Sequence, residues 1–166
     1  MKYRVDSGKL TVKARSTIHD TTTVWDKVSG EVEAEPETLT TAGAHAVFTI
    51  DMTAFDAGDW LKNRKLRKDF ALDDHPRATF TLIQLTTVVR DGAAFTATAE
   101  GTLRWRGKEV VLVLAGRGTL DAACVTATAT FELDIRKLGL QAPRILMVKV
   151  ADEVSVEVSV RGSASS

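Results

Sequence analysis

The sequence has a single cysteine, Cys124, among its 166 residues. One chain therefore forms no internal disulfide bond and no thiolate metal cluster. Cys124 lies in a threonine-rich alternating segment, where a lone cysteine is usually an inert small residue. We accordingly expect that no activity of the protein depends on this thiol.

Net charge and long apolar runs are absent as well. The 22 basic and 22 acidic residues cancel, so no overall field attracts the chain to nucleic acid. No apolar run approaches the length that spans a bilayer, and we expect neither a nucleic-acid partner nor stable membrane insertion. Nucleophile-elbow, Walker-loop, dinucleotide-binding and metal-spaced histidine motifs are also missing. We therefore expect no enzyme activity, no metal and no cofactor other than a bound lipid.

Alternation of apolar and polar residues fills most of the chain. About eight such segments, joined by tight turns such as Asp91-Gly92, are typical of a sheet closed into a barrel and equally of a two-sheet sandwich. We assign residues 1–162 to one domain and residues 163–166 to a frayed tail. The predicted strands are Tyr3–Val5 continued by Leu10–Arg15, Val24–Ala34 with a kink at Ser29-Gly30, His45–Met52, Ala78–Val89, Phe95–Trp105, Glu109–Leu120 after a turn at Gly107-Lys108, Val125–Ile135, and a last strand through Val154–Val160.

One stretch, residues 62–80, interrupts the alternation. Asp59 is a plausible N-cap ahead of good helix formers, and His75-Pro76 stops a helix because the residue before proline avoids the α region. We predict one short helix near residues 60–68. Its bases either bind phosphates or anionic headgroups or form a solvated face, and the lack of interleaved aromatics argues against a nucleic-acid groove. These bases are Lys62, Arg64, Lys65, Arg67 and Lys68.

The same stretch resembles a segment of the YceI-like family, R…LR..DF…P…F. Three further motifs of that family occur in the expected order along the chain, the first of them before this stretch. The matching residues are Arg64, Leu66-Arg67, Asp69-Phe70, Pro76 and Phe80, then Tyr3 with Asp6 and Ser7, then Gly101-Thr102-Leu103 with Gly107 and Val110, then Arg136 with Gly139-Leu140. The chain differs from the pattern at Ala71 and His75, where the family usually has aromatic residues. The resemblance implies an all-β, eight-stranded antiparallel lipocalin-like barrel that encloses a long isoprenoid or other lipid chain.

The apolar face should point into such a barrel, since threonine and charged residues on the other face tolerate water. This face carries unusually small residues, which favour an open lumen, although aromatics interlocking with alanines would fill it. We predict an apolar ligand, of the isoprenoid, quinone or fatty-acid type, in the lumen. The predicted contacts are Phe48, Ile50, Met52, Phe80, Leu82, Phe95, Ala97, Ala99, Leu103, Ala127, Ala129, Phe131, Val156 and Val158.

Two other functions remain open from the sequence. A filled barrel would serve as a stress-linked structural or interaction protein, and distant residues such as His19, His45 and His75 would have to assemble any enzyme site. His19-Asp20 and Asp73-Asp74-His75 contain ligand types, but a turn explains the first and consecutive side chains diverge in the second. The sequence leaves homodimer formation open. The segment MKYRVDSGKL lacks the apolar core of a signal peptide, so we expect a cytoplasmic protein, the alternative being a periplasmic or secreted form whose leader was removed.

Overall fold

The computed structural model describes residues 1–16, 20–140, 144–145 and 148–165. Eight of its strands form a closed antiparallel barrel in the order β1-β11-β9-β8-β7-β6-β4-β3, and β3 returns to β1. The predicted all-β barrel is therefore confirmed. The strands are β1 Lys2–Ser16, β2 Thr21–Trp25, β3 Val28–Ala34, β4 Ala44–Asp51, β5 Phe55–Asp56, β6 Arg77–Asp91, β7 Ala94–Trp105, β8 Lys108–Leu120, β9 Cys124–Asp134, β10 Arg144–Ile145 and β11 Val148–Ala164.

The predicted strand Val24–Ala34 is two strands, and its break lies at Asp26-Lys27 rather than at Ser29-Gly30. Both pieces pair with β1 in one register, β3 through Lys2–Arg4 and β2 through Leu10–Ala14. The break arises because β2 also pairs with β5, which lies outside the barrel ring. Gly30 lies within β3, at a position where a Cβ would lie 2.2 Å from the carbonyl oxygen of Val47. Only glycine therefore allows β4 to approach this closely.

Two helices lie at opposite ends of the barrel. The helix α2, Trp60–Asp69, confirms the predicted short helix, and the Asp59 carboxylate caps it by accepting from the Lys62 N–H at 2.8 Å. The single-turn helix α1, Leu39–Ala42, was not predicted, because four residues carry too little periodicity to recognise. Below, the α2 end is the end of the barrel that contains α2, and the α1 end is the opposite one.

Both ends are closed by buried apolar side chains. At the α1 end, Leu39 packs with Tyr3 and Leu120 in one core cluster. At the α2 end, Trp105 and Leu72 belong to a second cluster, which continues through the barrel. Burial raises the pKa of Tyr3, whose hydroxyl donates to the Asp121 carbonyl at 2.6 Å. Side chains from the strands and from the connections between them therefore cover both ends of the interior.

The end of the last strand and the position of the β7–β8 turn differ from the sequence prediction. The last strand continues to Ala164, because Ser163 pairs with Cys124 and Ala164 pairs with Tyr3, whereas fraying was predicted from residue 163. The β7–β8 turn consists of Arg106-Gly107, with Lys108 already in the strand. In both places backbone pairing with a neighbouring strand outweighs the local turn-forming composition. No helix in the described residues is long and apolar enough to cross a bilayer.

Candidate functional site

The barrel encloses a cavity of about 270 Å³. All fourteen residues that the sequence analysis proposed as ligand contacts lie on its wall. Thirteen of them come from five strands, β4, β6, β7, β9 and β11, whose inward positions follow the two-residue period of a β-strand, and Met52 directly follows β4. The structure thus places the predicted residues around one continuous space, and their contact with a ligand stays a prediction.

The hollow exists because small residues face each other across three neighbouring strands. Ala97 of β7 pairs with Gly116 of β8, and Gly116 pairs with Ala129 of β9. A Cβ placed on Gly116 would find its nearest neighbours, the Thr128 and Ala97 carbonyl oxygens, at 3.7 and 3.8 Å, an ordinary contact distance. The other inward-lying glycines differ, since a Cβ on Gly101 would lie 2.1 Å from the Phe80 ring. Gly116 is therefore the point at which the wall recedes without another group filling the space.

The wall offers almost no polar chemistry. Arg117 and Thr128 are the only residues with polar hydrogen-bonding side chains, apart from the two indoles, among the described residues that line it. The indole N–H of Trp25 donates to the Met52 carbonyl at 3.1 Å, and that of Trp105 donates to the His75 carbonyl at 2.9 Å. Since both indoles are satisfied, the cavity suits an apolar occupant and offers no directional partner to a polar one.

Residues 70–76, between α2 and β6, cover the α2 end of the barrel, and we call them the closing segment. Phe70, at the C-cap of α2, lines the cavity, and its carbonyl accepts from Arg106 at 2.5 Å. Leu72, two residues later, is 0% exposed. Arg106 also lies over the Trp105 ring at 5.7 Å, so the β7–β8 turn and the segment after α2 hold each other in place. This closing segment covers the cavity at the α2 end.

Comparison with known proteins agrees with this geometry. The family model of the YceI-like domain matches residues 3–162. The chain belongs to the YceI-like family. No curated protein matches the chain.

Solved structures share the barrel of this YceI-like chain. BcnA of Burkholderia cenocepacia is 23% identical with a TM-score of 0.74, and the match covers 93% of this chain and 95% of that one. A polyisoprenoid-binding domain from Saccharophagus degradans, implicated in plant cell wall breakdown, is 18% identical with a TM-score of 0.76 and 98% coverage of both chains. A Campylobacter jejuni YCEI protein is 14% identical with a TM-score of 0.68, covering 87% and 85%. At these identities the matches establish the common fold.

Sequence reasoning missed several residues of the wall. Leu112 and Leu114 alternate inward on β8, but the run VVLVL is apolar on both faces, and its outward members Val111 and Val113 hid the period. Leu39 and Leu138 reach the cavity from turns outside the strands, where no strand period exists to reveal them. From the sequence alone Trp25 either walls a pocket or fills core, and in the structure it lines the cavity.

The barrel wall is incomplete between β8 and β9. These strands pair only from Ala115–Leu120 to Val125–Thr130, so no ladder joins their remaining halves at the α2 end. The 3₁₀ turn Ile135–Leu138 lies at this place, and Leu138 and Leu140 are buried. Gly139 follows with φ of 74°, the left-handed region that glycine adopts without strain. The R…GL motif of the YceI-like family thus marks a corner that covers the open part of the wall.

An ion pair holds this corner. The Asp134 carboxylate accepts from the Arg136 backbone N–H at 3.0 Å and from the Arg136 Nε and Nη2 at 2.9 and 2.8 Å. The Arg136 side chain and its backbone N–H lower the pKa of Asp134 from 3.8 to about 2. Because folding lowers this pKa, the resulting stabilisation is complete above pH 3.8 and is lost as the pH falls through about 2.

We predict that NMR titration of the side-chain carboxyl groups will give Asp134 a pKa of about 2. The substitution Arg136→Gln removes the side-chain donors but keeps the backbone N–H, so the pKa should rise and yet stay below 3.8. Asp134→Asn should abolish the corner's share of the pH dependence of thermal unfolding between these two pKa values. An Asp134 pKa that does not respond to Arg136→Gln would contradict the assignment.

The histidines do not come together in the described part of the chain. His45 is exposed on β4 at the α1 end, and His75 lies in the closing segment at the α2 end. His19 lies outside the described residues. Asp73, two residues before His75, pairs with Arg67 at 2.7 Å. Across the described ranges, no group of three His, Cys, Asp or Glu side chains is placed to hold a metal ion.

Proposed function

We propose that this YceI-like protein binds one long apolar chain, of the isoprenoid, quinone-tail or fatty-acyl class, inside its barrel. The observation that carries the proposal is the apolar cavity of about 270 Å³ inside the barrel. Binding requires burial alone, since each methylene moved from water into the cavity contributes about 0.8 kcal/mol. No catalytic residue is needed. The polyisoprenoid-binding domain of Saccharophagus degradans, which has the same fold, supports this class of ligand.

The energetic cost of an empty cavity also supports an occupant. An unfilled void destabilises a protein core in proportion to its volume, which disfavours an empty cavity of about 270 Å³. Natural domains have a net stability of about 5–15 kcal/mol and close-packed interiors, so a void of this size is a large expense for a purely structural protein. A bound chain recovers much of that free energy as affinity.

The first experiment asks whether the protein carries a ligand when purified. Organic extraction followed by mass spectrometry should release a molecule with a long apolar chain in stoichiometric amount. The delipidated protein is then titrated with primary alcohols of increasing length and with farnesol and geranylgeraniol. Trp25 and Trp105 line the cavity, so their fluorescence should report occupancy.

The chain-length series distinguishes a binding cavity from a filled core. Each added methylene should lower Kd roughly fourfold, as about 0.8 kcal/mol implies, until the cavity is full, after which the gain should stop. No extracted molecule and no saturable fluorescence change with any alcohol would overturn the proposal. That result would favour a structural or interaction protein.

A further inference from the structure

Helix α2 has two faces with different partners. One side of the helix contains four residues that are three or four positions from one another or adjacent: Asn63, Leu66, Arg67 and Phe70. This side contacts the barrel: Leu66 and Phe70 pack against the core, the Asn63 side-chain oxygen accepts from the Ala57 N–H at 2.6 Å, and Arg67 donates to the Thr53 carbonyl at 3.1 Å. The helix is thus fixed to the protein without using its other side.

The other side of α2 carries an unusual combination of residues. Trp60 is 70% exposed and Leu61 is 63% exposed, whereas the other two tryptophans, Trp25 and Trp105, are buried. Trp60, Arg64 and Lys68 are spaced by four residues, with Leu61 and Lys65 spaced likewise beside them, so all five share one face. We call these five residues the Trp60 surface. It joins two large apolar side chains to three bases.

The charges of the Trp60 surface are only partly compensated. Lys65 pairs with Asp69 at 2.8 Å. Arg64 and Lys68 have no carboxylate within 4.0 Å among the described residues. Asp59 caps the start of the helix, and Asp69 continues the row of Leu61 and Lys65, where it compensates Lys65 alone. Two uncompensated bases therefore flank Trp60 and Leu61.

We propose that the Trp60 surface docks the protein on a bilayer that contains anionic phospholipid. Tryptophan favours the membrane interface because its ring is apolar and its N–H remains near water, while bases are attracted to anionic headgroups. Docking of this kind is peripheral, since it buries one helix face and inserts no segment across the bilayer. A second copy is a poor occupant, because twofold pairing of this surface would place its bases against themselves.

The location of the Trp60 surface gives the docking a use. It lies at the α2 end, beside the closing segment that contains Phe70 and Leu72. Docking there would bring the bilayer next to the segment that covers the cavity at this end. Docking itself does not depend on an occupied cavity, so the protein without ligand should bind vesicles even if the proposed lipid-binding function fails.

The test is flotation of the ligand-free protein with vesicles of phosphatidylcholine, with and without phosphatidylglycerol. The protein should float with the anionic vesicles at low salt and should not float with the neutral ones. Trp60 emission should move to shorter wavelength on binding, and Trp60→Phe should remove that shift because the other two tryptophans are buried. Binding should weaken at high salt, which screens the bases.

Paired variants separate the two contributions. Trp60→Ala with Leu61→Ala should weaken binding by about tenfold or more, since the apolar anchor is lost. Arg64→Gln with Lys68→Gln should weaken it about fivefold for each base at low salt, and much less at high salt. One matched control is Val111→Ala with Val113→Ala, which truncates two apolar side chains on β8 that are 60% and 66% exposed. The other is Lys2→Gln with Arg4→Gln, which removes two bases at the α1 end. These controls should bind like the wild type.

Equal binding to neutral and anionic vesicles, full binding by both Trp60-surface variants, or equal losses in the controls would overturn the proposal. Absence of binding to any vesicle would also overturn it and would favour an acidic protein as the partner of this surface. Ligand extraction, described above, remains an independent measurement, so failure of docking and failure of lipid binding are distinguishable.

Discussion

Replacing Gly116 by leucine should leave the fold intact and weaken the binding of an apolar chain about a hundredfold. A Cβ at this position meets only ordinary contacts, and the remainder of the side chain enters the cavity. The leucine displaces about three or four methylene groups of ligand, each contributing about 0.8 kcal/mol, which corresponds to about a hundredfold in Kd. Stability should be unchanged or slightly raised, because glycine is unfavourable within a strand. Titration with a long-chain alcohol and chemical unfolding measure both effects.

Gly118→Leu is the matched control, two residues along the same strand. A Cβ there would lie 1.8 Å from the Thr126 carbonyl oxygen, so backbone must shift, and we expect a loss of about 3 kcal/mol or more in unfolding free energy. Gly116→Ala, which adds only the tolerated Cβ, should bind nearly as well as the wild type. If Gly116→Leu lost stability as Gly118→Leu does, the space beside Gly116 would be filled core.

Leu72→Ala should destabilise the protein by about 2–5 kcal/mol, the usual cost of truncating a fully buried leucine. Leu72 is 0% exposed, and its backbone N–H donates to the Arg67 carbonyl at 3.0 Å, which ties the closing segment to the end of α2. For a domain of this size the loss corresponds to a fall in Tm of roughly 10 °C. Since the residue holds the closing segment, exchange of a bound chain with solvent should also become faster. Thermal unfolding and stopped-flow displacement of the bound chain measure the two effects.

Leu61→Ala provides the control for Leu72→Ala. The same side-chain atoms are removed at the same end of the barrel, but Leu61 is 63% exposed. The change in unfolding free energy should therefore stay within about 0.5 kcal/mol. Comparable destabilisation by the two substitutions would show that burial of Leu72 is not what stabilises this end of the barrel.

The inward positions of the barrel could be predicted because a strand reveals its two faces locally. Ala97 and Ala99, or Val156 and Val158, show their side of the sheet through the alternation of their immediate neighbours. The helix α2 could be predicted equally well, since the Asp59 carboxylate that caps it accepts from Lys62, only three residues later. The resemblance to the YceI-like family then chose the barrel over the sandwich, a choice that periodicity alone leaves open.

Other features depend on contacts between distant segments. The break at Asp26-Lys27 follows from pairing of β2 with β5, and Leu39 and Leu138 reach the cavity from turns that carry no strand period. Ser163 and Ala164 are ordered by Cys124 and Tyr3, although their own composition is typical of a frayed terminus. In each case the partner is remote in sequence, so no local pattern announces the contact.

Gly116 and Gly118 mark the division most clearly. By itself the sequence determined that both lie in one strand, predicted as Glu109–Leu120. Only the tertiary structure decided that Gly116 borders open space while Gly118 abuts the backbone of β9. The physical reason is that the volume beside a glycine is set by how closely the neighbouring strand approaches, and that distance results from closing the whole barrel through β1 and β11.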